Sequence, residues 1–219
     1  APKPIILIHC ENEQLLKTLL SYYRREFKII IVTQKNIVQD HQSLYVISYA
    51  KAHMLAGIKE TIDYALIITD SPQEYTLIHA LDTKFRKDNT HVVLALPIYN
   101  PALWLSHIHQ TLSLKHLSLV FFGNLFGPEV TFENEVVKLV RTVLRERRIT
   151  LNGNDLSPIY PISEVDFLTG INYVLFGANG KSRLFYLFYK HPQTIVSAIH
   201  LLKRTEPDLA VEYSENRSD

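Results

Sequence analysis

Six short apolar runs punctuate the first 124 residues of this chain, and segments with helical spacing separate most of them. The runs are Ile5–Ile8, Ile29–Val32, "LYVISY" from Leu44, Ala65–Ile68, "HVVLALPI" from His91 and "LSLVFFGN" from Leu117. A strand that is apolar at every position must be buried on both faces. Strands of that kind alternating with helices specify a parallel sheet covered on both sides. Leu15, Leu16, Leu19 and Leu20 repeat at helical spacing between the first two runs, so the chain opens as strand, helix, strand. The predicted fold class is therefore α/β, a Rossmann-like doubly wound parallel sheet.

That opening βαβ unit is the kind that holds a dinucleotide, and it normally does so on glycines between the first strand and the helix. Here the turn reads His9-Cys10-Glu11-Asn12-Glu13, and the first glycine of the chain is Gly57. Side chains at this turn block the close backbone approach of a pyrophosphate. Glu11 and Glu13 place negative charge at a helix N-terminus, where they favour the helix and compete with a phosphate. The second strand ends Val32-Thr33-Gln34. No acid stands there for ribose hydroxyls, and no arginine for a 2′-phosphate; Lys35 alone is a weak substitute.

The pattern changes after Gly127-Pro128. "FENEVVKLVRTVLRERR" is amphipathic, with Val136, Val140 and Val143 on its apolar side, acids Glu133 and Glu135 early and Arg145, Arg147 and Arg148 late, an order that complements the helix dipole. "SEVDFLTGINYVLFG" is a helix with Ser163 as N-cap. "SRLFYLFY" is a strand packed on both sides, "HPQTIVSAIHLLKR" a last helix, and "DLAVEY" an extended end. The expected domains are residues 1–123, the Rossmann-like core, and 124–219, a smaller C-terminal α+β lobe whose late strand at about 182–189 returns to the main sheet.

In order and spacing these elements resemble the extended short-chain dehydrogenase/reductase family, the NAD-dependent sugar epimerases and dehydratases. "VFFGNLFGPEV" resembles the family's Arg-x-x-Asn-x-Tyr-Gly-Pro motif, keeping Asn124, Gly127 and Pro128 but with Phe121 and Phe126 at the arginine and tyrosine positions. The segment from Thr150 to Gly177 resembles the stretch that follows in the family, with Asp166 matching an acid at the head of its helix. "GKSRLFYLFYKHPQTIVSAIHLLKR" resembles the return strand and its helix. The resemblance implies a Tyr-x-x-x-Lys pair, in which the lysine lowers the pKa of an acid/base tyrosine. Tyr99 stands at the tyrosine position, but Leu103 stands where the lysine belongs. The strand that should carry a serine or threonine reads "LALPI".

Glycine turn, ribose acid and catalytic lysine are thus missing together, while the core-building runs are intact. The reading favoured by this joint loss is a non-catalytic relative kept for binding, assembly or regulation, without a cofactor. The alternative is an atypical NAD- or NADP-dependent enzyme on a nucleotide-sugar-like substrate. Either way the candidate pocket residues are Asp70, Tyr99, Asn124 and Asp166, with Tyr99 the residual catalytic candidate.

Other signals have plainer readings. "GANGKS", Gly177 to Ser182, has two residues between its glycines instead of the phosphate loop's four, and precedes a strand instead of a helix. His107, His109 and His116 lack a helical face in common and an acidic or cysteine partner, so no metal is expected. A net charge of +1 argues against a general nucleic-acid binder. One cysteine, Cys10, fits a reducing, cytoplasmic setting. No apolar run reaches the length that spans a bilayer. "ALWLSHIHQTL" is a candidate homodimer interface by resemblance, with another protein or a sugar-nucleotide-like ligand as the remaining partners.

Overall fold

The structure is a computed structural model that describes residues 2–34, 43–69, 75–98, 116–128, 133–151, 156–177 and 184–214. The segment "NPALWLSHIHQTLSLK" and most of "GANGKS" lie outside the described residues.

The apolar runs become strands β1 (Ile5–Cys10), β2 (Lys28–Thr33), β3 (Tyr45–Ser48), β4 (Tyr64–Ile68), β5 (His91–Pro97) and β6 (Leu117–Phe122). With β11 (Leu184–Leu187) they form one seven-stranded sheet in the order β11-β6-β5-β4-β1-β2-β3. All five pairings among β1 to β6 are parallel. Every residue of β1 and β6 is buried, as expected for strands covered on both faces. Alternation divides the side chains: Ile5, Leu7, Ile30, Val32, Ala65, Ile67, Leu94 and Leu119 join one core cluster with Leu77, Ile78, Leu81 and Phe85. The latter four come from helix α2 (Tyr75–Asp88).

Helix α1 (Glu13–Tyr23) buries Leu15, Leu16, Leu19, Leu20 and Tyr23; burial is worth about 1.5–3 kcal/mol for each leucine. Lys84 anchors α2 from within. Its Nζ reaches Asp88 Oδ2 at 3.0 Å and donates to the carbonyls of Ile58 (3.1 Å) and Glu60 (2.7 Å). Asp88 in turn accepts the Ile62 N–H at 2.8 Å. A buried ion pair is tolerable when its remaining hydrogen-bonding capacity is met in this way.

Tyr49–Gly57 forms a 3-10 helix. Helix α4 (Glu164–Asn172) gives way to a π-helical turn at Tyr173–Gly177, where the sequence predicts one continuous helix. The second departure is β11. The sequence predicts a strand packed on both sides, yet Leu184 and Tyr186 are exposed. The exposed pair alternates with half-buried Phe185 and Leu187, so this edge strand has one face open to solvent.

The chain divides into two compact units, Ala1–Phe122 with Leu168–Tyr186, and Gly123–Phe167 with Leu187–Asp219. In the second, β7 (Asn124–Phe126) pairs with β10 (Pro161–Ser163), β8 (Arg148–Leu151) with β13 (Ala210–Tyr213), and β9 (Pro158–Ile159) with β12 (Gln193–Thr194). Helices α3 (Glu135–Glu146) and α5 (Ile195–Thr205) complete it. Its core gathers Leu139, Val143, Ile149, Leu151, Ile199 and Leu209.

Candidate functional site

In an open α/β sheet, ligands bind beyond the carboxyl ends of the strands where the strand order reverses. Here the reversal lies between β1 and β4, which places the crevice beyond Cys10, Thr33 and Ile68.

The first turn is closed by its own side chains. Asn12 caps α1, its Oδ1 accepting the Leu15 N–H at 2.9 Å, while its carbonyl accepts the Leu16 N–H at 2.9 Å. The Leu15 amide is one that an anion at a helix N-terminus would draw on, whereas the Leu16 bond is the first of the helix's own ladder. Glu11 reaches the end of β2, where its Oε1 accepts the Gln34 N–H at 3.0 Å. Glu13 pairs with Lys17 at 2.8 Å. The Cys10 thiol turns inward and donates to the Asn12 carbonyl at 3.6 Å.

The floor of the crevice is equally engaged. His9 is fully buried, and its Nδ1 donates to the Val32 carbonyl at 2.8 Å. That bond fixes the Nδ1–H tautomer. The Tyr49 ring lies 5.7 Å from the His9 ring at 50°, and the Tyr49 hydroxyl hydrogen-bonds that of Thr76. An aromatic residue thereby links the segment after β3 to the start of α2. Thr33 and Thr69 are buried, with the Thr69 N–H on the Ala95 carbonyl at 3.1 Å.

These residues do not fit a dinucleotide held in the usual manner. The turn has no glycine for the pyrophosphate to approach, a capping side chain engages the Leu15 amide, and a carboxylate stands at the end of β2 bonded to backbone. The contact between Glu11 and Gln34 was not legible in the sequence, which shows Glu11 only as a charge near a helix start; its partner is 23 residues away.

Two of the four candidate pocket residues are described. Asn124 is buried and clasps the Tyr160 backbone: Oδ1 accepts the Tyr160 N–H at 2.8 Å, and the Asn124 N–H donates to the Tyr160 carbonyl at 2.7 Å. Asp166 is exposed and engaged with Ser163, whose Oγ donates to Oδ2 at 2.9 Å and accepts the Asp166 N–H at 3.1 Å. That is a reciprocal helix cap. Asn124 pairs with Pro161 in the same two-stranded sheet in which Ser163, the cap partner of Asp166, pairs with Phe126. Asp70 and Tyr99 lie outside the described residues, as does Leu103. The residue before Tyr99 is placed: the Ile98 N–H donates to Phe122 at 2.8 Å. Phe121, at the arginine position of the motif, stacks on Tyr186 with centroids 5.9 Å apart. Among the described residues there is no cluster of three or more metal-ligating side chains, and no helix is long and apolar enough to cross a membrane.

No protein-family model matches the chain, and no curated protein matches it in sequence. Solved structures do match its fold. The dTDP-glucose 4,6-dehydratase of Bacillus anthracis, in complex with NAD, aligns at a TM-score of 0.69 and 14% identity, covering 96% of this chain and 84% of that one. The UDP-N-acetylglucosamine 4-epimerase of Bacillus cereus aligns at 0.71 and 13%, covering 97% and 85%. The L-threonine dehydrogenase of Phytophthora infestans aligns at 0.73 and 11%, covering 95% and 84%. The chain has the fold of the NAD-dependent sugar epimerases and dehydratases. That fold also carries an amino-acid dehydrogenase, so it names no substrate.

Proposed function

We propose that this protein is a catalytically silent relative of the NAD-dependent sugar epimerases and dehydratases, kept as a binding or assembly protein. The observation that carries this is the bond from Gln34 N–H to Glu11, which puts a carboxylate of the first turn at the end of the second strand. A dinucleotide presents negative charge and ribose hydroxyls to these two places. Here one carries an acid and the other is bonded to that acid. The Asn12 cap on Leu15 supports the same reading, as does the leucine at position 103 where an enzyme of this kind would carry lysine.

Calorimetric titration with NAD, NADH, NADP and NADPH tests it. The expected result is no saturable heat with any of the four. Micromolar binding of one of them overturns the proposal.

The second reading, an atypical enzyme on a nucleotide-sugar-like ligand, draws on the fold match over nearly the whole chain. Asp70, Tyr99, Asn124 and Asp166 would be its pocket residues. Turnover of a UDP- or dTDP-sugar that is abolished by Tyr99→Phe would establish it in place of the first.

A further inference from the structure

The opposite end of the sheet has the chemistry that the crevice lacks. Where the strands begin, five aromatic side chains form one continuous cluster. The Phe27 ring stacks on Phe176 at 5.4 Å and 20°. Tyr64 meets Phe176 at 5.0 Å and Phe27 at 5.8 Å, both edge-on. Tyr23 meets Phe27 at 5.8 Å and Tyr22 at 5.1 Å, also edge-on.

The cluster is held rigidly. The Tyr23 hydroxyl donates to Asn172 Oδ1 at 2.6 Å, and burial raises its pKa. His91 Nδ1 donates to the Leu175 carbonyl at 3.0 Å, which pins the π-helical turn that presents Phe176. Yet the outer members are open to solvent: Tyr22 is 55% exposed, Phe176 44% and the neighbouring Tyr173 62%. Rigid, half-exposed aromatic side chains are what interface anchors are made of, because little conformational entropy is lost when they are covered.

Charge collects at the same end. Lys3, Arg24, Arg25, Lys28, Lys59 and Lys87 are all exposed on the segments that lead into the strands. The acids on these segments are largely engaged: Asp63 accepts the Ile5 N–H at 2.7 Å, Asp88 is paired with Lys84, and Glu60 accepts the Tyr45 hydroxyl at 3.2 Å. Glu26 remains as an exposed acid among them. The whole chain carries only +1, so this is a local excess of cations.

We propose that this aromatic and basic end of the sheet is a docking surface for an acidic segment of a partner protein, one with bulky apolar side chains among its carboxylates. Its carboxylates would face the lysines and arginines while its apolar side chains cover Tyr22, Tyr173 and Phe176. A second copy of the same surface is disfavoured, because like charges would oppose each other. A single-stranded nucleic acid is disfavoured by ring geometry. Base stacking needs open ring faces, and the Phe27 and Phe176 faces stack on each other. This inference deepens the proposal of a binding protein and rests on it.

The test pans the full chain against a library of random peptides about twelve residues long, the length scale of short peptide-recognition modes. The double variant Arg25→Glu/Lys28→Glu serves as counter-selection. The expected outcome is enrichment of acidic peptides containing Leu, Ile or Phe. The leading peptide, fluorescein-labelled, should bind the wild type in an anisotropy titration. Binding should weaken about tenfold or more in the double variant and in Tyr22→Ser, and fall as salt rises. Both changes lie at exposed positions, and unchanged urea midpoints would show that the fold is kept. No enrichment over the double variant, enrichment of neutral or basic peptides, equal binding by the variants, or tighter binding of oligouridylate than of the peptide overturns the inference. The nicotinamide titrations judge the silent crevice separately: peptide binding together with NAD binding overturns only the former proposal, and neither binding overturns only this one.

Discussion

Asn12 and Asn134 do the same job at different depths. Each caps a helix, Asn12 by accepting one N–H and Asn134 by accepting two, from Val136 and Val137 at 3.0 and 3.2 Å. Asn134 is also buried and donates from Nδ2 to the Leu125 carbonyl at 2.9 Å. Removing a cap costs about 1 kcal/mol, but a buried partner left unsatisfied adds its own desolvation cost of about 1–3 kcal/mol. Asn134→Ala is therefore expected to lower stability by about 3 kcal/mol and Asn12→Ala by about 1 kcal/mol, read from urea midpoints. His91 gives a second expectation at this scale. Burial, the largest influence, lowers its pKa from the ordinary value, with the backbone bond to Leu175 opposing and His116 reinforcing. The unfolded chain thus binds this proton more readily than the folded one. The stabilisation is complete above about pH 6.5, and it is lost as pH falls through the folded pKa. Melting temperatures between pH 7.5 and 5 should fall in the wild type and fall less in His91→Gln.

Among the elements, the junction of β6 and β7 is the least forgiving. A Cβ at Gly123 would sit 1.9 Å from the Tyr160 carbonyl oxygen and 3.0 Å from Phe188 Cβ. The obstacle is backbone, and it is held by the clasp between Asn124 and Tyr160. Gly123→Ala must therefore displace β7 or the segment before β10. A loss of about 2–4 kcal/mol is expected, the range of overpacked or strained sites, with the deficit measurable by chemical denaturation. A glycine at this place in "VFFGN" is visible in the sequence, but the carbonyl that requires it lies far along the chain. The same limit governs Lys84. "TKFRKD" reads as an ordinary charged helix end, and nothing local says that one of its lysines is buried against Asp88. The strands, by contrast, were legible, because burial on two faces leaves an unbroken apolar run in the sequence itself. β11 differs for the complementary reason: its apolar and aromatic run reads as buried on two faces, but residues 184 and 186 lie on a face open to solvent and nothing local in the sequence says so.

For the whole molecule, the two compact units differ in how deeply they are buried. The central strands β1, β4 and β5 have neighbours on both sides and near-complete burial. The two-stranded pair β8 and β13 alternates exposed with buried residues along β8 and is largely exposed along β13. Native-state hydrogen exchange should accordingly find the slowest amides in Ile6–Ile8, Leu66–Ile68 and Val93–Leu96, and faster exchange in Arg148–Leu151 and Ala210–Tyr213. Uniform protection across both sets would contradict this ordering. At this scale the α/β class was readable from the sequence alone. The crevice was readable only as an absence of glycine, acid and lysine, since the bond that ties the first turn to the end of β2 joins residues distant in sequence.

The link between Glu11 and Gln34 also makes the first turn resistant to conversion into a dinucleotide site. Replacing Glu11 with glycine strips the Gln34 amide of its acceptor. Replacing Asn12 with glycine removes the side-chain acceptor of the Leu15 amide. Neither change alone supplies a ribose acid or a glycine-lined turn, so each first step toward a dinucleotide site loses a bond and gains no ligand. Selection acting one substitution at a time would meet a ratchet at this turn. A laboratory rebuild would have to change residues 10–13 and 34 together.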